Sequence, residues 1–148
     1  MKTKALDLLA GKSSDIISIH SSETIHEAIK KLVTHNIGAL LVVDDDDKLV
    51  GIFTERDILK ESSRRSDQIK NTKVESAMTT DLIIGLPEDD VEYLMGIMTS
   101  NKIRHIPIMV GEEIKGIISI GDLVKAVLTH VNNENRYLKD YIMGKYPA

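Results

Sequence analysis

The chain has 148 residues with a formal charge of −4, 42% apolar residues, no Cys or Trp, one Phe and four Tyr. That is enough apolar surface for one shared core, it excludes a disordered tail, and the absence of a basic surplus disfavours nucleic acid as a partner. Without Cys there are no disulfides, thiolate zinc sites or cysteine nucleophiles, so a cytoplasmic setting is expected.

The first segment, Met1 to Gly11, holds two early Lys but no apolar run with a small-residue cleavage site, so a signal peptide is not expected. No run of about 18 apolar residues occurs, so no membrane association is expected. From Ile16 the chain reads as an extended segment, Ile16 to Ile19, and then as a helix beginning at Thr24. There Thr24 and Glu27 form a Thr-x-x-Glu capping box. The stripe Ile25, Ala28, Ile29, Leu32, Val33 has one-sided helical spacing. Two β-prone runs follow, Ile37 to Val43 and Leu49 to Phe53, joined by Asp44 to Lys48. The four Asp lack the ligand spacing, central Gly and distal Glu of a calcium loop, so they read as a solvated turn.

The same plan then repeats. The helical stripe returns 66 positions later as Val91, Leu94, Met95, Met98, Thr99, with Asp90 as its cap. Strands are expected at Ile103 to Met109 and Ile114 to Ile118, after an extended segment at Leu82 to Leu86. The offset falls from 66 to 65 at the hairpin turn, where a one-residue change leaves the core faces unmoved. Each unit is therefore β-α-β-β-α with three strands, and Glu61 to Lys73 is a polar connector. A unit of about 60 residues buries little alone. The expected fold is thus α/β of the α+β type, two tandem repeats packed sheet to sheet as one pseudo-symmetric module. Its parts are residues 1–66, 67–131 and a C-terminal helix and tail at 132–148. Small ligands are expected in clefts between the related halves.

Both copies pass from strand to helix through one phrase, Gly51-Ile52-Phe53-Thr54-Glu55-Arg56-Asp57 and Gly116-Ile117-Ile118-Ser119-Ile120-Gly121-Asp122. A carboxylate at that place can accept both hydroxyls of a ribose, the Thr or Ser hydroxyl can add a bond, and helix-terminal amides favour phosphate. The same residues are also ordinary helix caps that need no ligand, and two copies of a fold need two caps in any case.

The ordered set of segments, the repeated phrase and the lead-in Val74-x-x-Ala77-Met78 with its echo Ala5-x-x-Leu8-Leu9 resemble a tandem pair of CBS domains, the family named after cystathionine β-synthase, from about Ala5 to His130. The resemblance implies a stand-alone regulatory module binding AMP, ADP or ATP, or else NAD or S-adenosylmethionine, as a regulatory ligand and without a catalytic cofactor. It implies that Thr54 and Asp57 hold the ribose in one cleft, with adenine walls from Thr80 to Ile83, including Leu82, and from Ile103 to Pro107. Ser119 and Asp122 would serve the other cleft, with walls from Ile16 to Ser18 and Ile37 to Leu40, where Gly38 and Ala39 leave room for a ring. Arg104 and His105 stand where family members often direct basic groups toward phosphates, although Arg104 also reads as a surface residue and His105 as a packed one. Arg56 in the first phrase stands where the second has Gly121, which suggests unequal clefts, the first more able to hold several phosphates.

The remaining histidines, His20, His26, His35 and His130, lack metal-ligand spacing, and no phosphate-loop, dinucleotide or nucleophile-elbow motif occurs. No enzyme is expected; a nucleotide-acting one would have only His105 as its base. A structural adaptor with vestigial clefts is the other alternative. Residues Glu134 to Met143 form a helix with Tyr137, Leu138, Tyr141 and Ile142 on one side, which either folds back over its own globule or clasps a second copy. The resemblance implies a homodimer and, since no output domain is present, an unidentified protein target regulated in trans.

Overall fold

The apolar stripes and β-prone runs become regular elements in a computed structural model that describes residues 3–12, 15–64 and 67–142. In chain order these are α1 (Ala5–Ala10), β1 (Ser18–His20), α2 (Ile25–His35), β2 (Ala39–Val43), β3 (Leu49–Thr54), α3 (Glu55–Arg64), α4 (Val91–Asn101), β4 (His105–Val110), β5 (Glu113–Ser119) and α5 (Ile120–Ile142). Single 3-10 turns lie at Ile69–Asn71 and Val74–Ser76. The fold is mixed α/β. The chain forms two compact units, one of residues 15–84 with 109–115 and the other of residues 1–14, 85–108 and 116–148.

In the first unit, β1 pairs parallel to β2 and β2 antiparallel to β3, with Ser18 opposite Leu41 and Ala39 opposite Thr54. Every residue of the central strand β2 is buried, the pattern of a strand covered on both faces. Helix α2 is capped by Thr24, whose Oγ1 accepts from the Glu27 amide at 3.3 Å, and ends on Asn36 in the left-handed region. Its Ile25, Ala28 and Leu32 pack with Ile19, Leu40, Val42, Phe53 and Val74. Val33, expected on the same stripe, is 74% exposed, because it stands at the edge of the apolar arc. The acidic turn is held by its own first residue, since Asp44 Oδ1 accepts from the amides of Asp46 at 2.9 Å and Lys48 at 3.0 Å. Helix α3 extends further than the polar composition suggests, to Arg64, and buries Glu61, expected at the start of the connector.

In the second unit, Asp90 caps α4 by accepting from the Tyr93 amide at 2.8 Å. Val91, Leu94 and Met98 pack with Ala5, Ile106, Ile108, Ile118 and Leu123. Strands β4 and β5 make a two-stranded sheet. The third strand expected at Leu82 to Leu86 is reduced to one parallel rung, Gly85 opposite Ile108, with the Gly85 amide donating to the Pro107 carbonyl at 2.9 Å. Two residues on, Pro87 has no amide to donate and restrains Leu86, so the ladder does not continue.

Each lead-in packs on the repeat of the other copy. The Ala5 and Leu6 amides donate to the carbonyls of Asp89 (2.8 Å) and Pro87 (2.9 Å), in front of α4. The Ile25 amide donates to Thr72 and the Val74 amide to Glu23, both at 2.8 Å, in front of α2.

Candidate functional site

The Gly that opens each strand-to-helix phrase is explained by these lead-ins. A Cβ on Gly51 would lie 2.5 Å from Met78 Sδ and 3.1 Å from the Thr79 carbonyl oxygen, and one on Gly116 would lie 2.7 Å from Leu9 Cδ2. Met78 and Leu9 are the matching ends of the two lead-ins, so the missing side chain seats the lead-in on the strand. Thr79 then pairs with Ile52 through two backbone bonds of 2.9 and 3.0 Å.

At the end of β3, the Thr54 amide and hydroxyl donate to Asp57 Oδ2 at 2.9 and 3.2 Å, and the Asp57 amide donates to Thr54 Oγ1 at 3.3 Å. The pair is a reciprocal cap of α3. Asp57 is only 5% exposed, and its second oxygen, Oδ1, accepts from the Thr79 hydroxyl at 3.4 Å.

The second phrase has the same cap with a different outer partner. The Ser119 amide donates to Asp122 Oδ2 at 2.8 Å, and the Asp122 amide donates to Ser119 Oγ at 3.1 Å. Lys12 Nζ lies 2.8 Å from Asp122 Oδ2 and also donates to the Ile117 carbonyl at 2.9 Å. Burial pushes the Asp122 carboxyl up, but the Lys12 hydrogen bond, the Ser119 amide and the Lys12 charge together hold it below the ordinary value of 3.8. A cavity of about 410 Å³ opens beside this carboxylate, lined by Asp7 and Lys12 on the α1 side and by Lys125, Thr129 and His130 along α5.

The other expected residues divide between the units. With Thr54 and Asp57 belong exposed Arg56 and Thr80, half-buried Leu82 and Ser18, and Ile16 at 43% exposure. Gly38 and Ala39 are there too, the Gly38 carbonyl accepting from the Glu55 amide at 3.2 Å beside the cap. With Ser119 and Asp122 belong half-buried Ile103 and His105, buried Pro107 and exposed Arg104, whose carbonyl accepts from the Ile120 amide at 2.8 Å. Thr79 and Lys12 are the residues that local pattern misses. The usable signal is that both come soon after the echoing lead-ins, Thr79 one residue after Met78 and Lys12 three after Leu9.

Among the described residues, no group of three or more His, Cys, Asp or Glu could hold a metal ion, and no helix is long and apolar enough to cross a membrane.

Duplicated α/β units, each with a hydroxyl–carboxylate pair at a strand-to-helix junction and a lead-in seated on the preceding Gly, define a tandem-repeat module. The chain belongs to the CBS domain family, whose family model matches residues 7–64 and 74–129. It is similar to the mitochondrial CBS domain-containing protein CBSX3 of Arabidopsis thaliana, 39% identical over 92% of this chain and 69% of that protein. The solved structure of the CBS-domain containing protein ATU1752 from Agrobacterium tumefaciens has a TM-score of 0.81 at 38% identity, covering 85% of this chain and 94% of that one. The CBS domain pair of protein MJ0100, solved in complex with 5′-methylthioadenosine and S-adenosyl-L-methionine, has a TM-score of 0.77 at 29% identity, covering 88% and 99%.

Proposed function

We propose that the chain is a regulatory, non-catalytic module that senses an adenosine-containing ligand and acts in trans on a partner protein. The observation that carries this reading is the matched pair of carboxylates, Asp57 and Asp122, each at a strand-to-helix junction and each bonded by a donor that follows a lead-in. A carboxylate so placed accepts a ribose diol with charge-assisted bonds once its neighbours yield. The solved relative MJ0100 supports the ligand class, since both of its ligands carry an adenosyl group. Thr54 and Ser119 would join the two aspartates on the ribose. The base would meet Thr80, Leu82, Ile103 and Pro107, or Ile16, Ser18, Gly38 and Ala39, and phosphates would meet Arg56, Arg104 and His105. To switch anything the ligand must bind one conformation more tightly than another. The protein is proposed to act as a homodimer of about 33 kDa, twice the 16.5 kDa chain.

Calorimetric titration with AMP, ADP, ATP, NAD and S-adenosylmethionine tests the reading. At least one should bind, and Asp57→Ala or Asp122→Ala should weaken it at least tenfold. Binding unaffected by both substitutions would refute the ribose assignment. The reciprocal caps at Thr54–Asp57 and Ser119–Asp122 favour a second reading, a structural adaptor, which predicts no binding of any of these compounds.

A further inference from the structure

The cavity of about 410 Å³ beside Asp122 is a groove between α1 and the first half of α5, and all of its lining belongs to the unit of residues 1–14, 85–108 and 116–148. That volume is in the range of small-ligand sites. On α5 the lining residues Asp122, Lys125, Thr129 and Asn133 are spaced three or four apart, so they form one stripe along the helix. Lys125 and Thr129 stand about 4.5 and 10.5 Å along the axis from Asp122. Facing the stripe are Asp7 and Leu8 of α1, with Lys12 just beyond its end.

The lining combines an apolar floor with balanced charge. Leu8 and Ala126 are half-buried and pack against the core cluster of Leu94, Ile118 and Leu123. Above them the carboxylates of Asp7 and Asp122 are set against the ammonium groups of Lys12 and Lys125. Lys12 and Asp122 satisfy each other at 2.8 Å. Asp7 gives one oxygen, Oδ2, to the Lys4 amide at 2.9 Å, and among the described residues neither Asp7 nor Lys125 has an ion-pair partner. His130 has a counter-charge on its own helix, Glu134 at 3.2 Å. The groove therefore offers one unpaired anion, one unpaired cation and an apolar strip.

We propose that this groove is a tail subsite of the cleft at Asp122, suited to an adenosyl ligand whose 5′ tail has an aliphatic stem and ends in an amino acid. The proposal rests on the reading of Asp122 as a ribose acceptor. With the diol on Asp122, the tail runs along the α5 stripe. Its methylenes lie on Leu8 and Ala126, its carboxylate meets Lys125 and its ammonium meets Asp7, a charge-assisted bond at each end. A polyphosphate tail is the poorer occupant. It has no stem to bury, it needs cations in excess, and it meets a lining without net positive charge in which Asp7 repels it. Lys125 and Asp7 are thus specificity determinants, because a site that pairs a polar group discriminates against an analogue lacking it.

Three probes that share the adenosyl group and differ in the tail test this on the full chain: S-adenosylmethionine, 5′-methylthioadenosine and ATP. Calorimetry is run in an Asp57→Ala background, which disables the first cleft. S-adenosylmethionine should bind at least tenfold more tightly than 5′-methylthioadenosine and more tightly than ATP. Lys125→Met and Asp7→Asn should each weaken S-adenosylmethionine at least fivefold and leave 5′-methylthioadenosine unchanged, and retained binding of the latter shows that each variant is folded. Lys125→Met carries the test even if Asp7→Asn, which alters the α1 cap, loses both ligands. Equal affinities of the two adenosyl compounds, tighter binding of ATP, equal losses for both compounds in Lys125→Met, or no binding in the Asp57→Ala background would overturn the subsite and leave the ribose reading standing. Binding of none of the three to the wild type would overturn both.

Discussion

Replacing Lys12 by Met keeps the length and the aliphatic stem of the side chain and removes its charge and its bonds to Asp122 Oδ2 and the Ile117 carbonyl. The two side chains are 36% and 25% exposed, so solvent screens the pair and it is worth about 1 kcal/mol at most. For a chain of this size that corresponds to a fall in Tm of about 2–4 °C. The sharper consequence is in the titration of Asp122. Burial raises its carboxyl and Lys12 supplies the largest opposing influence, so in Lys12→Met the pKa must move up toward or past 3.8. A depressed folded pKa stabilises the protein above the unfolded value, and that stabilisation is lost as pH falls through the folded value. The coupling between Lys12→Met and Asp122→Asn should therefore be present at pH 7 and fade as the pH falls below 3.8. Carboxyl carbon NMR of Asp122 in wild type and Lys12→Met, with a urea-denaturation cycle at each pH, measures both. An Asp122 that titrates at the same pH with and without Lys12, or a coupling that survives its protonation, would refute the electrostatic account.

Three further outcomes follow from the same geometry. Asp57→Ala removes the acceptor for the Thr54 amide and hydroxyl and should cost about 1–2 kcal/mol in urea denaturation at pH 7, whereas a loss below 0.3 kcal/mol would show that the cap contributes nothing. Gly51→Ala drives a Cβ against Met78 and the Thr79 carbonyl and should cost about 1–3 kcal/mol, and a companion Met78→Ala should recover part of it; no recovery would place the strain elsewhere. The stability lost in Lys12→Met should shrink as NaCl is raised from 0.05 to about 1 M, while that lost in Thr79→Val should not, because an ion pair is screened and a hydroxyl bond is not; equal salt responses would refute the distinction.

Helices α2 and α4 were readable from sequence because their stripes and caps are local, and so was the strand-to-helix phrase, a matter of neighbours three residues apart. Lys12 and Thr79 were not. Their bonds to Asp122 and Asp57 join residues 110 and 22 positions apart, and no periodicity encodes such a pairing. The missing third strand of the second repeat was misjudged for a different reason. Leu82 to Leu86 has strand composition, but Gly85 and Pro87 limit it to one rung, and ladder bonds rather than composition make a strand. At the C-terminus a separate helix was expected from Glu134, yet the run Asn132-Asn133-Glu134 contains neither Gly nor Pro, and α5 continues through it.

The duplication itself bears on what the carboxylates are for. A helix cap needs only the pair three residues apart, and both copies keep it: Thr54 with Asp57, Ser119 with Asp122. Capping alone gives no reason for either carboxylate to face outward from its own helix, yet each is met by a donor from a segment that precedes the other copy. Those donors have diverged, a neutral hydroxyl at Asp57 and an ammonium at Asp122. An incoming diol at Asp57 would displace a single long hydroxyl bond of 3.4 Å, while at Asp122 it would have to share the carboxylate with a charge-assisted bond of 2.8 Å. Two positions derived from one plan would thus pose different costs to a ligand of the proposed kind, and one carrying its own negative charge would recover part of the difference only where Lys12 is there to receive it.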